Sequence, residues 1–104
     1  MMQMDQNMFE KQVSEGKPVL VEFWAPWCVY CRRIAPALEK LAQQQDNLII
    51  GQVNIADEPL LANREHIEVI PTFVLYENGQ ALGSIVAPES KARIEEFIRE
   101  TLGY

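Results

Sequence analysis

Val19-Leu20-Val21-Glu22-Phe23-Trp24-Ala25-Pro26-Trp27-Cys28-Val29-Tyr30-Cys31 is the stretch on which the reading of this chain turns. Val19–Trp24 is apolar except for one acid. Its shortness suits a strand better than a helix, and apolar side chains at both odd and even positions suit a strand covered on both faces. The only two cysteines of the chain follow at once, at a strand-to-helix junction. A helix start offers unpaired backbone N–H groups and the positive end of a dipole. Both favour thiolate over thiol, and thiolate is the reactive form.

Positions i and i+3 on a first helical turn share a face, within the geometric window of a disulfide. Cys28, at the helix start, is expected to be exposed and nucleophilic. Cys31, one turn in, is expected to be shielded and to resolve the mixed disulfide by thiolate attack on sulfur. Other uses of the pair fit less well. A structural bridge across so short a loop stabilises little. Zinc asks for about four ligands, and beyond the two thiols the chain offers a lone, distant His66. An iron–sulfur cluster needs ligands from elsewhere. The spacing in a βαβ context points to redox chemistry.

Glu22 is the second informative residue. A carboxylate in a strand covered on both faces costs several kcal/mol unless it is paired or keeps its proton. Standing six residues before Cys28, it is a candidate proton acceptor for the resolving thiol, through a water if needed. The alternative is an acid that reaches an edge or pairs with Lys17 or an arginine.

Working outward, Asp5 is placed to cap a helix over about 6–15, with Phe9 and Val13 inward and Gly16 ending it. After Cys31 a stripe of Ile34, Leu38 and Leu41 predicts a helix to about Gln45, kinked at Pro36. Leu48–Ile55 reads as a strand, Pro59 opens a short helix to about Glu65, and Thr72–Tyr76 reads as a strand. Asn78-Gly79 turns that strand back antiparallel into Gln80–Val86. Ser90 caps a last helix that carries Ile94, Phe97, Ile98 and Leu102 inward. Early alternation implies parallel strands with right-handed crossovers, and the hairpin adds an antiparallel edge. The expected fold is a three-layer α/β/α sandwich around a mixed sheet of about four to five strands.

Composition bounds the rest. A chain of 104 residues with 48% apolar residues is expected to form one domain over 1–104. A net charge of −6 with scattered cations argues against nucleic-acid or anionic-membrane binding. No stretch approaches the roughly 20 apolar residues of a membrane span, and no signal peptide is visible after Met1. A cytoplasmic location is therefore expected, where a disulfide is usually catalytic or redox-sensing.

Val21–Cys31 with Ile34-Ala35-Pro36, followed in order by Val53-Asn54-Ile55, Ile70-Pro71-Thr72 and Glu77-Asn78-Gly79, closely resembles the thioredoxin family from about Phe9 to Leu102. The resemblance implies a thioredoxin fold and reduction of disulfides in client proteins, with electrons from an NADPH-dependent flavoprotein reductase. A monomer with no cofactor or metal of its own is expected. Cys28 looks like the attacking cysteine, Cys31 the resolving one, and Trp24 and Trp27 the aromatic pair beside them. Pro36 looks like a structural support. Trp27, Tyr30, Ile70, Pro71 and Ala87 look like the substrate-facing surface. Pro71 matches the family's cis-proline, although the general scarcity of cis X–Pro bonds, about 5–6%, predicts trans.

The chain also departs from the family pattern. Val29-Tyr30 replaces Gly-Pro between the cysteines, which changes the turn's rigidity and its free N–H groups. A more oxidising couple is expected, since about 1.4 kcal/mol shifts a potential by about 30 mV. This motivates two alternatives to a reductase: a disulfide oxidase or isomerase, and a redox-dependent binding module. Glu22 stands for the usual aspartate, and Gln52 for a lysine that partners it, so the acid is expected to hold its proton longer. Ala87-Pro88 replaces a glycine-containing docking loop, which bears on recognition by a reductase. The first edge strand, before Asp5, is expected to be short or missing. Tyr30 is read as a donor to substrate or a cover over sulfur, Arg32 and Arg33 as thiolate supports or a solvated face, and His66 as a surface residue at a helix end.

Overall fold

The structure is a computed structural model that describes residues 1–103. Its elements are β1 (Met2–Gln3), α1 (Gln6–Ser14), β2 (Val19–Trp24), α2 (Val29–Gln44), β3 (Ile49–Asn54), α3 (Pro59–Arg64), β4 (Thr72–Glu77), β5 (Gln80–Val86) and α4 (Lys91–Leu102). The sheet runs β1-β3-β2-β4-β5. β1 and β2 both lie parallel to β3, while β4 is antiparallel to β2 and to β5. The expected mixed sheet is present with five strands. The first edge strand exists, but it is two residues long.

β2 is central, and side-chain alternation sorts it between two cores. Leu20 packs with Ile34, Leu38 and Leu41 of α2 and Ile94, Phe97 and Ile98 of α4. Val19, Val21 and Phe23 pack on the opposite side with Phe9 and Val13 of α1 and Leu61 of α3. The alternation puts Glu22 on Leu20's side, toward α2. By the same rule Gln52 follows Ile50 toward α2. An acid and an amide thus arrive side by side, since Glu22 and Gln52 are register partners across the parallel β2–β3 ladder.

The turns obey local chemistry. Asp5 Oδ1 accepts from the Met8 N–H at 2.8 Å and Ser90 Oγ from the Arg93 N–H at 3.1 Å, capping α1 and α4. Asn78 and Gly79 have φ of 53° and 80°, both positive as a type I′ hairpin turn needs. α2 passes through Pro36, which lies on its exposed side. Gly51 on β3 lies close under β1: a Cβ there would meet the flexible end of the Met4 side chain and fall 3.2 Å from the Met2 carbonyl oxygen, so both would have to shift. The missing side chain is what lets β1 and Met4 close over that end of the sheet.

The Ile70–Pro71 bond is cis. The expectation of trans from general frequency is corrected, and the isomer implied by the resemblance is the one found. An X–Pro amide prefers trans by only about 0.5–1 kcal/mol, so general frequency is a weak guide at any one bond. Here Thr72 Oγ1 donates to the Val69 carbonyl, and the Ala87 N–H donates to the Pro71 carbonyl at 2.8 Å.

Candidate functional site

Cys28 and Cys31 are joined as a disulfide with Cα atoms 5.2 Å apart. Cys28 is the N-cap of α2, in an extended conformation, and its Sγ accepts from the Cys31 N–H at 3.1 Å. A donor already aimed at this sulfur in the bridged form is a donor for the thiolate when the bridge opens. Cys31 is 4% exposed and Cys28 is partly exposed. The expected difference between an accessible first sulfur and a shielded second one is present.

Trp27 is the most exposed aromatic near the pair, at 66%, with exposed Val29 beside it in sequence. Tyr30 does not point its hydroxyl at open solvent: it donates to the Pro88 carbonyl at 3.4 Å, linking the first turn of α2 to the segment before α4. Arg32 Nη1 donates to the Pro26 carbonyl at 3.2 Å, and Arg33 is solvent-exposed. Pro71 is buried and Ile70 half-buried. Ala87 has φ of 46°, the left-handed region that a glycine tolerates at no steric cost. Its N–H to Pro71 O joins the Ala87-Pro88 segment to the start of β4. His66 sits exposed just past α3, away from the sulfurs.

Glu22 is 1% exposed. No lysine or arginine pairs with it. Gln52 Nε2 donates to its Oε1 at 2.6 Å, and Oε2 is buried without a partner. Burial pushes the carboxyl up to about 7 from its ordinary 4.5, partly offset by the Gln52 hydrogen bond. The alternative of an acid at an edge or in an ion pair is set aside by this geometry.

The acid and the second sulfur share a space. A pocket of about 450 Å³ has Glu22, Trp24, Cys31, Gln52 and Gln3 in its wall, with Arg32 and Glu39 of α2 also lining it. The Trp24 indole N–H is likewise buried and unpartnered. Gln3 was not singled out by the sequence. It carries no local signal, because it reaches the site through the pairing of β1 with β3. Pro88, named in the sequence only as part of the docking segment, also meets the site through its carbonyl, which accepts from Tyr30.

Comparison with known proteins gives the same picture. A protein-family model described as thioredoxin matches residues 1–100. Thioredoxin from Buchnera aphidicola subsp. Acyrthosiphon pisum is 40% identical over 100 residues, covering 94% of this chain and 92% of its own. The bifunctional thioredoxin reductase/thioredoxin of Mycobacterium leprae is 37% identical over 91 residues, 86% of this chain but 20% of that longer one. Among solved structures, Plasmodium falciparum thioredoxin superposes with a TM-score of 0.89 at 25% identity, covering 96% of this chain and 98% of that one. The bridged cysteines at the head of α2 are thus the redox pair of a dithiol/disulfide oxidoreductase, and the chain belongs to the thioredoxin family.

Proposed function

We propose that the protein works as a reductase of client-protein disulfides, with Cys28 attacking, Cys31 resolving and Glu22 taking the Cys31 proton. The observation that carries this reading is that Glu22, buried with one carboxylate oxygen unpartnered, lines the same pocket as Cys31. In the reduced protein the Cys28 thiolate attacks one sulfur of a client disulfide. A mixed disulfide forms and the client's other sulfur leaves as thiolate. Cys31 then gives its proton to Glu22, directly or through water. The Cys31 thiolate attacks Cys28 Sγ, the internal bridge forms, and the client's second sulfur departs. Two electrons pass to the client, and its thiolates take up protons.

An acid with a pKa of about 7 suits this step. It is near-matched to neutral pH, accepting a proton in one half-cycle and returning it in the other. Trp27, Ile70, Pro71 and the Ala87-Pro88 segment would present the client-docking surface, with Trp24 and Pro36 in support. Re-reduction would come from an NADPH-dependent flavoprotein reductase; the Mycobacterium leprae relative, named for both activities in one chain, supports that pairing. We place the protein in the cytoplasm as a monomer. Its two-cysteine economy is that of a redox device and not of a stapled secreted domain.

Val29-Tyr30 favours a second reading, an oxidase or isomerase. Tyr30 keeps a backbone N–H that a proline lacks, adding a free donor at the helix start and stabilising the reduced, thiolate form. Two measurements decide. With an excess of a disulfide client, Cys31→Ser is expected to accumulate a mixed disulfide and Cys28→Ser none; failure to trap one removes the proposed roles. Equilibration with glutathione is expected to give a potential at or below the cytosolic poise, and a value well above it would replace reductase by oxidase.

A further inference from the structure

Glu22 does not receive its hydrogen bond from an isolated amide. Gln3 Nε2, on the two-residue β1, donates to Gln52 Oε1, and Gln52 Nε2 donates to Glu22 Oε1. The three side chains form a directed chain across β1, β3 and β2, held by the register Gln3↔Gln52 and Glu22↔Gln52. Direction matters because a glutamine amide donates from one end and accepts at the other. With its oxygen occupied by a donor from Gln3, the Gln52 amide faces Glu22 with its nitrogen. Turned around, it would set a carbonyl against the acid, an arrangement that tolerates only the protonated carboxyl.

We propose that Gln3 is a positioning residue for disulfide exchange: it locks the Gln52 amide with its nitrogen toward Glu22, so that Oε1 is the fixed acceptor and Oε2, buried without a partner, is the oxygen that gains and loses the proton. The inference rests on Glu22 as the proton acceptor. It adds which oxygen works and what keeps it so. Oε1 is engaged and Oε2 is buried without a partner, which is the asymmetry the assignment requires. The other residues in that wall are Cys31, Arg32, Ala35 and Glu39 from α2, Trp24 from β2, and Met1. Of these, none donates to Oε2 in the oxidised form. β1 thus has a chemical duty beyond closing the sheet. A residue that is itself exposed acts on a buried acid through one intervening amide.

The test is Gln3→Met, which keeps length and volume and removes donor and acceptor together. It is read by the carbon-13 titration of the Glu22 carboxyl and by the pH profile of mixed-disulfide resolution. Loss of the lock disfavours the carboxylate, so both midpoints are expected to rise by about half a unit to one unit. Gln3→Glu, which can only accept, is expected to raise them at least as far. Unchanged midpoints in Gln3→Met, with Gln52→Met shifting them, would overturn the role of Gln3 while leaving Glu22 as acceptor. A resolution profile unaltered by Glu22→Gln would instead remove the acceptor itself. Thermal midpoints of each variant in the oxidised form separate these shifts from loss of fold, because unfolding moves both cores and not one titration.

Discussion

Gln52 Nε2 lies 2.6 Å from Glu22 Oε1, and among the described residues no lysine or arginine is paired with that acid, so its one hydrogen bond comes from a neutral donor. A neutral partner satisfies an oxygen but does not cancel a charge. The consequence appears in stability, because the folded carboxyl titrates near 7 and the unfolded one near 4.5. Between those values the folded state binds more protons than the unfolded one. Folding therefore loses stability as pH rises through that window, and above about 7 the whole cost is present.

The first prediction is that Glu22→Gln stabilises the oxidised protein at alkaline pH. A displacement from 4.5 to about 7 corresponds to about 3 kcal/mol. The gain is expected to be near zero at about pH 4.5 and to approach that figure by about pH 8. Urea unfolding of both proteins across pH measures it. A difference independent of pH would mean that Glu22 is not a buried titrating group.

Supplying the missing cation is the second test. Gln52→Lys places an ammonium next to the carboxylate, and an opposite charge at such range lowers an acid's pKa by about 1–3 units. The Glu22 midpoint is expected to fall by about 1 unit or more from its value near 7, and the pH at which client turnover reaches half its maximum should fall with it. A carboxyl signal that titrates where it did before would show that the charge of residue 52 does not reach the acid.

Ala87 carries the third prediction. Its φ of 46° holds a Cβ in a region that costs a non-glycine residue about 1–2 kcal/mol. Ala87→Gly relieves this, against about 0.4–1 kcal/mol for the greater freedom of glycine in the unfolded chain. A net gain of about 0.5–1 kcal/mol is expected, seen as a higher denaturant midpoint at unchanged slope. Destabilisation would mean that the methyl group has packing that outweighs the strain.

A fourth prediction concerns the side of the sheet away from the sulfurs. The Tyr76 hydroxyl donates to Glu65 Oε1 at 2.6 Å, and Arg64 bridges Glu65 and Glu10 of α1. Burial and Glu65 hold the phenol protonated far above its ordinary range. The exposed arginine pairs contribute little, but the hydroxyl bond to a charged, half-buried acceptor does more. Tyr76→Phe is expected to cost about 1–2 kcal/mol in urea unfolding and to leave the redox potential unchanged. A shifted potential would show that the two faces of the sheet are coupled.

Much of this was readable in the chain, and the reasons are local. Val19–Trp24 could be placed as a two-sided strand because its own alternation leaves no polar face, and Glu22 stood out because that strand is otherwise apolar. Asn78-Gly79 and Ser90 act on neighbours a few residues away. β1 was readable only through the resemblance, as an edge strand short or missing: Met2-Gln3 has no period, and it is a strand through its pairing with Gly51 and Gln52 of β3. The cis bond at Pro71 followed from family resemblance and not from propensity, since nothing in the neighbouring residues separates it from the common trans form. Gln3 itself was invisible. Its meaning depends on a neighbour 49 positions away.

Trp24 extends the consequence of that shared pocket to how the protein is observed. Its indole N–H is buried and unpartnered, and the residue lines the same pocket as an acid whose charge appears near neutrality. A charge developing in a low-dielectric space acts strongly on a nearby dipole. Emission from this fluorophore will therefore respond to ionisation of Glu22 as well as to the state of the sulfurs. A redox titration followed by light at a single pH mixes two events, while the same titration across several pH values resolves them into two spectra. The chain thus carries an optical gauge for its own hidden proton.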